Sequence, residues 1–156
     1  MNRDALIARL ASKGHEDLRL FVYDDATGRP LKKGDTLVGL PSIGIGRNLV
    51  GRGITKDEAV ILCMNDILDV EKALDAMVAW WRQLDEVRQQ VIAEMAFNLG
   101  AGGLMNFVNM LAALKAGEYE RAADEMVSSA WYRQVGNRAK TLERAMRTGQ
   151  FLKLEA

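Results

Sequence analysis

The apolar positions open in a helical rhythm. From Asn2 to Lys13, Ala5, Leu6, Ile7, Ala8, Leu10 and Ala11 supply one face, Asn2 or Asp4 can cap the start, and Gly14 can end the helix. The rhythm then changes. Leu18 to Tyr23 mixes alternation with an apolar run, which predicts a strand, and Asp24-Asp25-Ala26-Thr27-Gly28 reads as a turn. Residues 18–49 read as a small antiparallel sheet. Gly28, Gly34, Gly39, Gly44 and Gly46 punctuate it, and both prolines, Pro30 and Pro41, lie within it. Thr55-Lys56-Asp57-Glu58 is a capping box opening a long helix to about Val78. Val60, Ile61, Met64, Ile67, Leu68, Leu74 and Met77 mark its expected buried stripe. Asp85 caps a third helix, Glu86 to Leu99, which ends at Gly100-Ala101-Gly102-Gly103. Phe107 to Leu114 and Tyr119 to Val127 read as shorter helices separated by Gly117. Arg138 to Thr148 is a last helix, ending at Gly149.

Composition adds bounds. A chain of 156 residues with 49% apolar and 27% charged residues is an ordinary globular chain, long enough for a core without staples. No repeat, low-complexity stretch or flexible linker divides it, so a single domain is expected. The net charge is zero, so no global basic field points to nucleic acid. The charge is uneven. Residues 26–56 carry six Lys/Arg against one acid and 131–156 six against two, whereas 57–94 carry nine acids against three bases. Basic patches suit an anionic polymer; scattered solvated charge is the alternative. Cys63 is alone, which removes disulfides and cysteine metal sites, and a buried inert thiol is expected. His, Cys and acid spacing offers no metal-ligand cluster, and no cofactor is expected. The N-terminal MNRDALIARLASKG lacks the apolar stretch of a signal peptide and is too polar to span a membrane, so accumulation in the cytoplasm is expected.

The best pair of catalytic carboxylates is Glu16 and Asp25. Glu16 follows a helix C-terminus, whose partial negative charge disfavours a second one, so a carboxyl there tends to keep its proton. Asp25 lies on a polar turn that suits an ionised carboxylate. Two carboxylates in opposite environments are what glycoside hydrolysis uses. Taken alone the pair is also readable as two solvated surface acids.

The order HEDLRL, YDDATG, SIGIGRNL, GITKDEA and finally NRAKTLERAMRTGQF resembles the phage-type lysozymes, the endolysin family that includes the lysozymes of T-even phages. The resemblance covers nearly the whole chain. It implies an α+β, mostly helical fold: a small antiparallel β lobe (about 15–54) joined by a long helix (about 56–78) to a helical lobe (about 79–156 plus helix 2–13), with the cleft between. It implies hydrolysis of the β-1,4 bond between N-acetylmuramic acid and N-acetylglucosamine in bacterial peptidoglycan, causing lysis of the host cell. Glu16 would be the general acid, and Asp25 with Ser42 would hold or activate water. Inversion would separate the carboxyls by roughly 6.5–9.5 Å. Asn98, in MAFNLG, and Phe107 would contact substrate, and Arg138 would orient Glu16. For Asn98 the alternative is a helix-end residue with no ligand. The expected partner is peptidoglycan, with no nucleic acid, no stable membrane insertion and a monomeric state. Plain endolysins of this kind wait in the host cytoplasm for release through a separate pore, then act on the wall in the periplasm.

Several residues depart from the family or compete for roles. Arg47 stands where His often follows the IGIG segment; pairing with Asp66 on the long helix is expected, the alternative being two unpaired surface charges. Ser42 replaces a frequent Thr and keeps the hydroxyl. RPLKKGDTLVGLP reads as an inserted hairpin on the cleft rim. His15, the only histidine, adjoins Glu16 but nothing completes a triad with it. Met64 and Met77 are expected as core filler, and Trp80 and Trp81 as core in preference to sugar platforms. Two other readings stay open: a lytic transglycosylase that needs Glu16 alone, and a catalytically silent wall-binding relative.

Overall fold

The computed structural model describes residues 1–151. The chain is α+β and mostly helical, and its internal contacts divide it into two units, Met1–Val60 and Ile61–Ala156.

The first unit begins with α1 (Arg3–Leu10), capped by the Asn2 side chain, which accepts from the Ala5 amide at 3.0 Å. No residue of α1 is buried, so its expected apolar face is not a core face, and α1 clusters with the sheet instead of the helical unit. A three-stranded antiparallel sheet follows in the order β1 (Arg19–Asp24), β2 (Pro41–Gly44), β3 (Arg47–Asn48). Tyr23 lies opposite Ser42, Asp24 opposite Pro41, and Ser42 opposite Asn48. Pro41 opens β2, a position where its missing N–H is tolerated.

The expected hairpin over 29–41 does not form. The segment is a loop, with one bridge from Pro30 to Tyr23 and a turn in which the Lys32 amide donates to the Asp35 carboxylate at 2.9 Å. The amides of Val38 and Gly39, which a hairpin ladder would use, donate instead to the Asp24 carboxylate. This unit has almost no apolar core. Its buried residues among those described are Tyr23, Asp24 and Ser42.

The capping box forms in both directions, Glu58 N–H to Thr55 Oγ1 at 3.2 Å and Thr55 N–H to Glu58 Oε2 at 2.8 Å, and starts α2 (Lys56–Met77). The expected stripe of α2 is not buried, apart from Leu74. Val60, Ile61, Met64, Ile67, Leu68 and Met77 are 38–61% exposed, and Cys63 is exposed as well. Periodicity finds residues that share a face; it does not find the element that covers the face. Met64 and Met77 are therefore not core filler, and Cys63 is not a buried thiol.

The second unit continues with a 3-10 turn (Trp81–Gln83), α3 (Glu86–Leu99), α4 (Ala101–Leu104), α5 (Val108–Lys115), α6 (Tyr119–Ser128), α7 (Ala130–Val135) and α8 (Asn137–Thr148). Its core is apolar and close-packed around Ile92, Met95, Leu104, Met110, Met126, Leu142 and Met146, each at most 1% exposed. Ala122, Ala123, Ala139 and Ala145 are fully buried and let α6 and α8 approach closely. Trp81 belongs to this core, with its indole N–H donating to Asp75 at 2.7 Å.

One buried cation ties the ends of the unit together. Arg88 on α3 donates from Nε to the Met146 carbonyl at 2.9 Å and from Nη2 to the Arg147 carbonyl at 3.2 Å. These carbonyls lie in the last turn of α8, where a cation is favoured. Arg88 also pairs with Asp85 at 2.7 Å and lies 3.5 Å above the centre of the Tyr119 ring. Gly149, in the left-handed conformation at φ 69°, leaves room for it, since a Cβ there would stand 2.8 Å from Nη1. Replacing Arg88 with Met keeps the bulk and removes every donor, so urea denaturation should show a loss of about 3 kcal/mol.

Candidate functional site

The first unit holds Glu16 in the turn before β1, Asp25 in the turn after it and Ser42 on β2, each with backbone contacts of its own. Glu16 ends the connection from α1. Its amide donates to the Leu10 carbonyl at 3.1 Å, which fixes the residue at the helix C-terminus. The next residue, Asp17, has φ 62°, a left-handed conformation that Asp tolerates, and its carboxylate accepts from the Leu18 amide at 3.0 Å. This turn sends the chain into β1. The Glu16 side chain is exposed, not sheltered, and lies against Gly46 in the β2–β3 turn. A Cβ on Gly46 would stand 2.8 Å from Glu16 Cδ, so only glycine lets the carboxyl settle there.

Asp25 follows the end of β1 and is exposed. Its amide donates to the Leu40 carbonyl at 3.0 Å, and its Oδ1 accepts from the Leu40 amide at 2.7 Å. One carboxylate oxygen is thereby engaged by the backbone. Ser42 lies on β2, opposite Tyr23 and two residues beyond Leu40. Ser42 is only 2% exposed.

The neighbour of Asp25 is the more constrained acid. Asp24 is 3% exposed, and its carboxylate accepts from the amides of Ala26, Thr27, Val38 and Gly39 at 2.6–3.2 Å. The Val38 amide does most to hold its carboxyl below the ordinary aspartate value; burial opposes this, and the Gly39, Thr27 and Ala26 amides add to the lowering. Sequence reasoning missed Asp24. The signal was the DDATG turn, in which the first Asp is placed to accept from amides two and three residues on.

Arg47 does not pair with Asp66. Its guanidinium grips both oxygens of Glu58, at 2.5 and 3.1 Å, and donates to the Gly53 carbonyl at 3.1 Å. Asp66 takes part in no ion pair among the described residues. The capping box already presents the Glu58 carboxylate at the start of α2, where a fork-shaped donor can take both oxygens. The Thr55 amide first, and Arg47 second, hold the Glu58 carboxyl at about 2.

The second unit carries the other expected residues. Asn98, at the end of α3, accepts through Oδ1 from the Trp131 indole N–H at 2.8 Å. Indole only donates, so the amide oxygen must face it and the NH₂ is left for other partners. Phe107 meets Trp131 edge to face, with centroids 5.9 Å apart at 89°. These aromatic rings line a depression of about 390 Å³ with Asn106, Asn109, Glu125 and Ser128. The role of Trp131 follows from contacts that sequence spacing does not contain. Arg138, expected to orient Glu16, pairs with Glu94 at 2.6 Å. Both lie along a larger groove, about 430 Å³, formed by α2, α3 and the start of α8. His15 is exposed in the turn after α1. Among the described residues no three His, Cys, Asp or Glu side chains gather to hold a metal, and no helix is long and apolar enough to cross a membrane.

The Arg47–Glu58 contact generates a pH prediction. The Glu58 carboxyl sits at about 2 in the fold against an ordinary value of 4.5, so it stabilises the fold fully above 4.5 and loses that contribution as pH falls through 2. Glu58→Gln should therefore melt below wild type at neutral pH, and thermal melts should converge as the pH drops from 4.5 towards 2.

The chain is 31% identical over 151 residues to the pre-baseplate central spike protein Gp5 of Enterobacteria phage T4, covering 86% of this chain and 26% of that protein. It is 26% identical over 99 residues to a probable T4-type lysozyme 1 of Dictyostelium discoideum, covering 62% of this chain and 58% of that protein. The chain thus spans about a quarter of the first relative and under two thirds of the second. Residues 13–148, which hold every candidate residue above, match the description "phage lysozyme", and on that match the chain belongs to the phage lysozyme family.

Proposed function

We propose that this chain is a muramidase that hydrolyses the β-1,4 bond between N-acetylmuramic acid and N-acetylglucosamine in bacterial peptidoglycan. The observation that carries this reading is that Asp25, held by the Leu40 amide, Glu16, seated against Gly46, and Ser42 on β2 all lie on or beside one small sheet in a chain of this family. Glu16 is the general acid. It gives its proton to the glycosidic oxygen as the bond to the sugar carbon breaks. Asp25 uses the carboxylate oxygen that Leu40 does not engage to hold water against that carbon and to accept its proton. The Ser42 hydroxyl orients the same water. Inversion is the outcome that the family resemblance implies, and it needs room for water between the carboxyls.

Asn98, through its free NH₂, and the Phe107–Trp131 pair supply substrate contacts in the second unit. An amide donor beside an aromatic edge suits an N-acetyl sugar, which offers a carbonyl and an apolar face. We further propose that the activity serves lysis of the host, with the protein stored in the cytoplasm and acting as a monomer on the wall. The spike relative favours one second reading, in which the same wall-cutting unit serves within a phage particle. Finding the protein in purified particles, and not only in lysates, would select that reading.

Product analysis tests the chemistry. Purified peptidoglycan digested by wild type should yield reducing-end muramic acid by mass spectrometry, and Glu16→Gln or Asp25→Asn should reduce release at least 100-fold. Anhydro-muramic acid that survives Asp25→Asn would replace hydrolysis with transglycosylation. No release by folded wild type would leave a silent wall-binding relative. Asn98→Ala should raise KM several-fold with kcat nearly unchanged, the mark of a contact made equally in ground and transition states.

A further inference from the structure

The first unit holds two adjacent aspartates with different tasks. Asp25 faces solvent, and Asp24 faces inward with four amide donors. The donors fall into two groups. Ala26 and Thr27 belong to the turn that Asp24 itself begins, at 3.0 and 3.1 Å. Val38 and Gly39 lie on the far side of a loop and reach back at 2.6 and 3.1 Å. The next amide in the chain, that of Leu40, donates to Asp25. Three consecutive N–H groups therefore clasp two consecutive carboxylates.

We propose that Asp24 is a positioning residue for the reaction, which clamps Val38 and Gly39 to the turn so that the Leu40 amide fixes the carboxylate plane of Asp25. The inference rests on the reading of Asp25 as the group that holds and activates water. Asp25 is exposed, and its own rotation is opposed chiefly by the Leu40 contact. That contact exists only while the loop stays against the turn. Gly39 makes the fit close. A Cβ there would overlap Asp25 Oδ1 and stand 2.7 Å from both Ala26 Cβ and the Ala26 amide nitrogen. The clamp thus brings the loop backbone to a distance that only glycine permits. With Asp24 neutralised, the Val38 and Gly39 amides lose a charged acceptor and regain stability by turning to water. The loop lifts, Leu40 leaves Asp25, and the water is held in many orientations where it was held in one. A misplacement of about 1 Å is enough to cost some 100-fold in rate.

The test uses the full chain and soluble peptidoglycan fragments. Wild type, Asp24→Asn, Gly39→Ala, Asp25→Asn and the double variant Asp24→Asn/Asp25→Asn are compared for kcat, KM and thermal melting. Asp24→Asn is expected to lower kcat at least 10-fold, with KM within twofold of wild type, at temperatures well below its melting point. In the Asp25→Asn background the same change should have no further effect, because Asp24 acts through Asp25. A purely structural role would lower both backgrounds alike and follow the loss of folded protein. Gly39→Ala keeps the Asp24 charge but forces the loop off the turn, because its Cβ would meet Asp25 Oδ1 and the Ala26 backbone, so it too should lower kcat. Wild-type kcat in folded Asp24→Asn, or additive losses in the double variant, would overturn the inference. Should Asp24→Asn fail to fold, Gly39→Ala decides: kcat lost at constant KM supports the clamp, and kcat retained overturns it. If Asp25→Asn itself keeps full activity, the reading of Asp25 fails and the inference falls with it. If Asp25→Asn is inactive while Asp24→Asn matches wild type, only the inference fails.

Discussion

The first unit depends on a carboxylate that cannot be left alone. A charged aspartate out of water must find donors, and in a unit without an apolar core the backbone is the available source. Asp24 draws amides from both sides of a loop, and doing so sets the path of residues 24–40. Arg19 closes the same turn from the other side. Its guanidinium donates to the Gly28 carbonyl at 2.5 Å and lies 4.6 Å from the centre of the Tyr23 ring. The sheet is thus ordered by directional contacts, which fix angles as well as distances. Apolar packing fixes volume but leaves orientation freer. On the proposed reading, a site that must aim two carboxyls gains from the first kind of order.

The second unit is built the opposite way. Its helices are ordered by burial, with alanines setting the spacing and methionines filling the interior. The buried Arg88 is its main polar exception, and its task is local: it satisfies carbonyls at the end of α8 that no helix can satisfy for itself. The two modes of order assign different tolerances. Conservative apolar exchanges suit the helical unit. In the sheet unit a loss of one amide or one carboxylate redirects the chain.

The parts legible in the sequence were those written in local chemistry. The Thr55–Glu58 box, the Asp85 cap, the extent of α3 and the glycine stop after α8 are all decided within a few residues. The family motifs pointed to Glu16, Asp25 and Ser42; Ser42 lies on β2, Asp25 just past β1, and Glu16 against the β2–β3 turn. What the sequence concealed depends on partners far along the chain. Nothing near Asp24 announces Val38, and nothing near Asn98 announces Trp131. Arg47 was expected to meet Asp66; Glu58, in the first turn of the same helix and already presented by the cap, took it instead. The stripe on α2 failed for a related reason, since amphipathic spacing is a property of one helix and burial a property of two elements.

The turn at Lys32–Asp35 closes on its own atoms, through the Lys32 amide and the Asp35 carboxylate. The chain leaves the sheet after Pro30 and returns at Val38, and both points are tied down independently of that tip. Residues 31–37 are therefore a length of chain whose ends are anchored and whose middle is self-contained. Such a segment is the natural place to splice in a peptide, because lengthening it adds little entropy cost and need not disturb the ends.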